Sequence, residues 1–109
     1  MESDPKIVAL APADELAGFR AGGAEVVAVE QQAELEAALE RFTDDPRVAV
    51  IVVGETVLRG DYRIISDVRR RAKSVIVVVP SHRGSADLTL SFMRHVFQQS
   101  IGVDLIGNR

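Results

Sequence analysis

The sequence predicts an α/β fold in which a four-stranded parallel sheet is flanked by helices, with an additional C-terminal helix. Two observations predict it. Four short apolar runs rich in β-branched residues alternate with stretches of helical periodicity. Two of these runs, residues 49–53 and 75–79, do not alternate with polar residues, which is typical of strands covered on both faces in a parallel sheet.

Turn-forming residues bound each of the four predicted strands. The strands are expected at residues 6–11, 25–29, 47–53 and 74–79. Their alternation with helices gives the order βαβαβαβ, and right-handed crossovers place helices on both sides of the sheet. A doubly wound topology of the flavodoxin or receiver type follows.

The first helix is predicted at residues 13–21. Asp14 is expected to cap its start, and Gly22 with Gly23 is expected to end it. Leu16 and Phe19 should face the sheet.

Two further helices are predicted between the later strands. Residues 31–42 carry apolar side chains at helical spacing, and the turn formers at 43–46 end that helix. Residues 61–72 form another, with Gly60 breaking any earlier turn. The apolar faces of these two helices consist of Leu35, Ala38, Leu39 and Phe42 in the former and Tyr62, Ile65, Val68 and Ala72 in the latter.

The last predicted helix, residues 87–101, has an unusually wide apolar arc. At about 100° per residue the arc spans roughly 220°, whereas a helix on one core needs little over 100°. Either both flanks are buried inside the domain, or loops cover one of them, or part of the arc meets a partner. The apolar residues are Leu88, Leu90, Phe92, Met93, Val96, Phe97 and Ile101, and the remaining arc holds Arg94, His95, Gln98 and Gln99.

The 109 residues are expected to form one compact domain. Residues 1–80 form its sheet, 81–86 a linker turn, and 87–109 the C-terminal helix and tail. The net charge of −3 disfavours nucleic-acid binding, and the lack of cysteine excludes thiolate chemistry. No apolar run suits membrane insertion or a secretory signal, so a cytoplasmic protein is predicted.

The sequence lacks ligand-binding and catalytic motifs at the strand ends, where this fold usually carries them. The first turn, residues 11–14, lacks the glycines of a phosphate-binding turn, and the third strand ends in Gly54 and Glu55 without a phosphoacceptor aspartate. No catalytic, cofactor-binding or metal-binding residue is therefore predicted. The isolated polar candidates are Glu55, Ser81, His82, Ser85 and His95.

One charge cluster, Arg69 to Arg71 with Lys73, falls at a predicted helix C-terminus, where cations complement the helix dipole. The functional alternative is a patch formed by Arg70 and Arg71 that meets an acidic partner surface.

Four segments in order along the chain resemble one known family. Residues 18–22 are similar to its Gly-Phe-Arg-Leu-Ala-Gly signature, residues 53–55 to the end of its third strand, and residues 75–80 with Gly84 to its fourth strand and exit. Residues 100–105 match the Ile-Gly-Val-Asp that closes its last helix. The chain resembles the F subunit of the V/A-type rotary ATPases, although residues 11–13 depart from the family's first turn.

The resemblance implies a non-catalytic rotor subunit of the central stalk, without a cofactor and peripheral to the membrane. Its C-terminal helix would bind the coiled-coil D subunit, and through the complex it would couple the catalytic A/B head to the membrane ring. The transported ion and the direction of operation stay open. The predicted partner-binding residues are Leu88, Phe92, Met93, Val96, Phe97, Ile101, Val103, Arg70 and Arg71.

The alternative is a receiver-like or small-molecule-binding α/β adaptor. Its ligand would lie at the carboxyl ends of the strands, near residues 11–14 and Gly54 with Glu55. A small enzyme that uses His82 or Glu55 is a third hypothesis, for which the sequence offers no convergent pocket.

Overall fold

The four strands lie within one residue of their predicted bounds. The computed structural model describes residues 5–80 together with residues 91, 94 and 95. β-branched runs flanked by turns leave little freedom in where a strand starts and stops. The strands are Lys6–Ala11 (β1), Glu25–Ala28 (β2), Val48–Gly54 (β3) and Val75–Val79 (β4).

The strands form one parallel sheet in the order β2-β1-β3-β4, which confirms the predicted α/β fold. In the register of the two central strands, Leu10 lies beside Val27 of β2 on one side and Val53 of β3 on the other. Connections leave β1 and β3 toward opposite edges of the sheet. The junction of these two strands is therefore the topological switch point, where open α/β sheets usually bind ligands.

Helices cover both faces of the sheet. They are α1 (Leu16–Ala21), α2 (Gln32–Thr43), α3 (Glu55–Leu58) and α4 (Arg63–Arg69), and a 3₁₀ turn at Ala13–Glu15 precedes α1. The apolar residues of α2, α3 and α4 pack with Val8 and Leu10 on one face. Leu16 and Phe19 of α1 pack on the other, as predicted.

Helices α1 and α2 differ in how their ends are capped. The prediction that Asp14 caps the first helix is wrong, because Asp14 lies inside the 3₁₀ turn, and neither Pro12 before that turn nor Glu15 before α1 makes a side-chain capping hydrogen bond. Gly22 and Gly23 end α1 as predicted, with Gly23 at φ 96°. At the start of α2, Gln31 and Glu34 form a capping box in which each side chain bonds the other residue's backbone N–H.

The region between β3 and β4 departs most from the prediction. The short helix α3 was not expected, and α4 is shorter than residues 61–72 at both ends. Tyr62 does not face the core: it is the N-cap of α4 and is 46% exposed. Ile65 and Val68 are buried as predicted. The predicted linker turn at 81–86 lies outside the described residues, as does most of 87–109.

Candidate functional site

The switch point between β1 and β3 is closely packed. A Cβ atom placed on Gly54 would lie 3.0 Å from the Cβ atom of Ala11. Just beyond, Thr56 Oγ1 donates a hydrogen bond to Glu15 Oε2 at 3.0 Å, which joins the segment after β3 to the segment after β1. The position at which this fold commonly opens a ligand crevice is thus bridged by protein side chains.

A pocket of about 310 Å³ remains beside this bridge. Its carboxylates argue against a phosphate ligand. The backbone N–H of Ala13, a donor that would otherwise face an anion, is bonded to the Glu30 carboxylate at 3.0 Å. The pocket is lined by Pro12, Asp14, Glu30, Thr56, Val57 and Arg59.

Of the polar candidates for catalysis, only Glu55 and His95 lie in the part of the chain that the structure describes. Tyr62 donates a hydrogen bond to Glu55 at 2.7 Å, and this bond raises the pKa of the tyrosine. His95 is exposed on a helical segment, and Ser81, His82 and Ser85 lie outside the described residues. Among the described residues, no group of three or more His, Cys, Asp or Glu side chains could hold a metal ion.

A surface groove of about 620 Å³ lies along the start of α4 and was not predicted. We call it the α4 groove; it is lined by residues 59–63 together with Ile65, Ser66 and Arg69. Three arginines and one aspartate give it a positive lining. The spacing of Arg59, Arg63 and Arg69 was the available signal in the sequence. It shows that these arginines share one surface only when the conformation of the turn before α4 is known.

Comparison with known proteins identifies the family. A family model described as the ATP synthase (F/14-kDa) subunit matches residues 7–96, most of the 109-residue chain. The chain belongs to this family. The resemblance to the F subunit of the V/A-type ATPases is thereby confirmed, and the protein is a subunit of a rotary ATPase engaged in ion transport. No curated protein matches the sequence.

The contact surface predicted on the C-terminal helix lies almost wholly outside the described residues. Ser91, Arg94 and His95 are helical and exposed, which agrees with the polar arc predicted to hold Arg94 and His95. The family match reaches residue 96 and so includes the first part of this helix. The partner-binding residues outside the described ranges are Leu88, Phe92, Met93, Val96, Phe97, Ile101 and Val103.

The other two predicted contact residues lie just after α4 and are paired within the chain. Arg70 contacts Asp67 at 2.7 Å, and Arg71 contacts Glu40 of α2 at 3.7 Å. Both arginine side chains are more than half exposed. Because each has an acidic neighbour, Arg70 and Arg71 present less net positive charge to a partner than the sequence alone indicates.

Within the described residues, no helix is both long enough and apolar enough to cross a bilayer. The matched family is an accessory subunit of ATP synthase.

Proposed function

We propose that the protein is the non-catalytic F subunit of the central stalk of a V/A-type rotary ATPase, and that its C-terminal helix binds the coiled-coil D subunit. The family match over residues 7–96 carries this proposal. In this role the protein turns with the stalk, is peripheral to the membrane on the cytoplasmic side, and helps to couple the catalytic A/B head to the membrane ring.

The packing at the switch point supports a binding role over an enzymatic one. The Thr56–Glu15 bond and the contact between Gly54 and Ala11 occupy the position at which a doubly wound fold usually admits a substrate. The Glu30 carboxylate accepts a hydrogen bond from the backbone N–H of Ala13, so this N–H is already used within the chain. The same features disfavour the receiver-like or small-molecule adaptor.

The breadth of the apolar arc on residues 87–101 supports the choice of contact surface. A helix that lays anchors along a coiled coil needs apolar side chains at spacings of three and four residues, which Phe92, Met93, Val96 and Phe97 supply. Aromatic and methionine side chains commonly contribute much of the energy in such interfaces. Arg70 and Arg71 would add a weaker, electrostatic contact to an acidic part of the stalk.

Single aspartate substitutions on the C-terminal helix test this contact. Phe97→Asp and Met93→Asp should each abolish measurable binding to a D-type coiled coil, because each places a charge in an apolar interface. Ser91→Asp adds the same charge at an exposed position of the same helix and should bind like the wild type. Isothermal titration with the purified coiled coil measures all three. Unchanged affinity in Phe97→Asp and Met93→Asp would refute the assigned contact.

A thermal-shift screen against nucleotides and common metabolites tests the alternative. A stalk component without a ligand site should show no saturable rise in Tm, because only a ligand that binds the folded state stabilises it. Saturable stabilisation by a metabolite would favour the adaptor.

A further inference from the structure

Two arginines of the α4 groove, Arg59 and Arg69, form no ion pair with a carboxylate in the part of the chain that the structure describes. Asp61 pairs with Arg63 at 3.1 Å. Arg59 and Arg69 instead donate to backbone carbonyl oxygens, those of Glu30 at 3.3 Å and Ile76 at 2.7 Å. A carbonyl oxygen is a neutral acceptor, so it orients a guanidinium without cancelling its charge. Two oriented cations therefore line the groove of a protein whose net charge is −3.

The backbone of Arg59 has an unusual conformation for a residue with a side chain. Arg59 has φ 52° and ψ 37°, the left-handed region, and it is the one non-glycine residue with positive φ in the described part of the chain. This conformation costs a residue with a Cβ atom about 1 kcal/mol or more relative to glycine. Such outliers concentrate at functional sites. Arg59 is the C-cap of α3 and is followed by Gly60, also with positive φ, so a residue with a Cβ atom stands where helix ends commonly place glycine.

The groove's other side chains suit a protein partner better than a small anion. It is an open trough along α4 and not an enclosed cavity. Tyr62 lines the groove and is 46% exposed. Tyrosine and arginine are among the residues most enriched at the energetic centres of protein interfaces, and paired guanidinium groups favour planar carboxylates.

We propose that the α4 groove is a second protein-binding surface, which takes an acidic segment of a partner protein. Carboxylates of that segment contact Arg59 and Arg69, and its backbone or apolar atoms pack on Tyr62. The contact does not involve the C-terminal helix, and it does not depend on the identity of the partner that the helix binds.

A titration of the full chain with a glutamate-rich peptide tests this proposal without the rest of the complex. At low ionic strength, where charge pairs are least screened, the peptide should shift the amide NMR signals of residues 59–69 in a saturable way. A chain that fails to bind the coiled-coil partner should still give this result. The experiment therefore tests the α4 groove independently of the contact proposed for the C-terminal helix.

Four variants assign the effect to the groove. Arg59→Gly relieves the left-handed strain and so should fold at least as well as the wild type, yet it should weaken peptide binding about twofold to fivefold. Arg69→Gln should weaken binding similarly. Arg59→Lys keeps the charge and should retain most of the affinity. Arg20→Gln removes an exposed arginine from α1 on the opposite face and should change nothing.

Three results would overturn the proposal. One is the lack of saturable shifts in residues 59–69 with the wild-type chain. Another is an equal loss of affinity in Arg20→Gln and Arg59→Gly, which would indicate attraction to net charge alone. The third is tighter binding of inorganic pyrophosphate than of the peptide at the same residues, which would make the groove a phosphate site.

Discussion

Glu15 and Thr56 lie 41 residues apart in sequence, and the threonine hydroxyl donates a 3.0 Å hydrogen bond to the glutamate carboxylate in a partly buried position. The bond spans the switch point, from the 3₁₀ turn after β1 to α3 after β3. In a ligand-binding protein of this topology, that span is where the ligand lies. Here the two connections are tied to each other.

Thr56→Val should lower the free energy of unfolding by about 1 kcal/mol, because it keeps the side-chain shape but leaves the Glu15 carboxylate without this donor. Urea denaturation measures the change. Thr43→Val is the matched control: the Thr43 hydroxyl bonds a carbonyl one turn earlier in its own exposed helix end, and its loss should cost less than about 0.5 kcal/mol. An equal, small effect in both variants would show that the bridge contributes nothing.

Gly54→Ala should destabilise the protein by about 1–3 kcal/mol through overpacking. Gly54 has φ −69°, which alanine adopts freely, so the cost comes from the added methyl group 3.0 Å from the Ala11 side chain and not from the backbone. The double variant Ala11→Gly with Gly54→Ala transfers the methyl group between neighbouring strands and should recover part of the loss. If the double variant loses as much free energy of unfolding as the two single variants added together, the close contact is not the cause of the destabilisation.

The carboxylate of Glu34 should titrate below the ordinary glutamate pKa of about 4.3. Its pKa is lowered by the hydrogen bond from the backbone N–H of Glu30 and by that from Gln31. Because the unfolded chain then binds the proton more tightly, this stabilisation is complete above the ordinary pKa and is lost as the pH falls through the folded value. NMR titration of the Glu34 side chain checks the direction, and a midpoint at or above the ordinary value would contradict the capping box.

Charge reversal at Arg70 and Arg71 together should weaken binding to the D-type coiled coil, but by less than Phe97→Asp. The arginines are partly neutralised by Asp67 and Glu40, and exposed ion pairs contribute about 1 kcal/mol or less. Titration at low and high salt separates this contact from the apolar one, because only the electrostatic part is screened. A loss as large as that of Phe97→Asp, with the fold retained, would make Arg70 and Arg71 a primary contact.

The sheet was predictable because its signals are local. Apolar β-branched runs fix the strands, and their lack of alternation indicates cover on both faces. The helix ends were harder. The sequence around Asp14 fits an N-cap, but the chain forms a 3₁₀ turn there instead, and the capping box that was overlooked uses Gln31 and Glu34.

The α4 groove was not predictable from the sequence, because it depends on backbone geometry that the local residue types do not specify. A left-handed turn is usually signalled by glycine or asparagine, whereas here it begins at Arg59. Spacing alone placed Tyr62 on the core face, and only the late start of α4 at Arg63 brings it to the surface. The C-terminal contact rests on side-chain periodicity and on the family match.

Affinity purification of the tagged chain from its native source tests the central claim most directly. The protein should be recovered with a D-type coiled-coil subunit, and with the A and B subunits of the catalytic head when the complex is kept intact. The Phe97→Asp variant should be recovered without these ATPase subunits, and the Ser91→Asp variant should be recovered with them. Recovery of the wild-type chain without any ATPase component, under conditions that keep the complex assembled, would contradict its assignment to the central stalk.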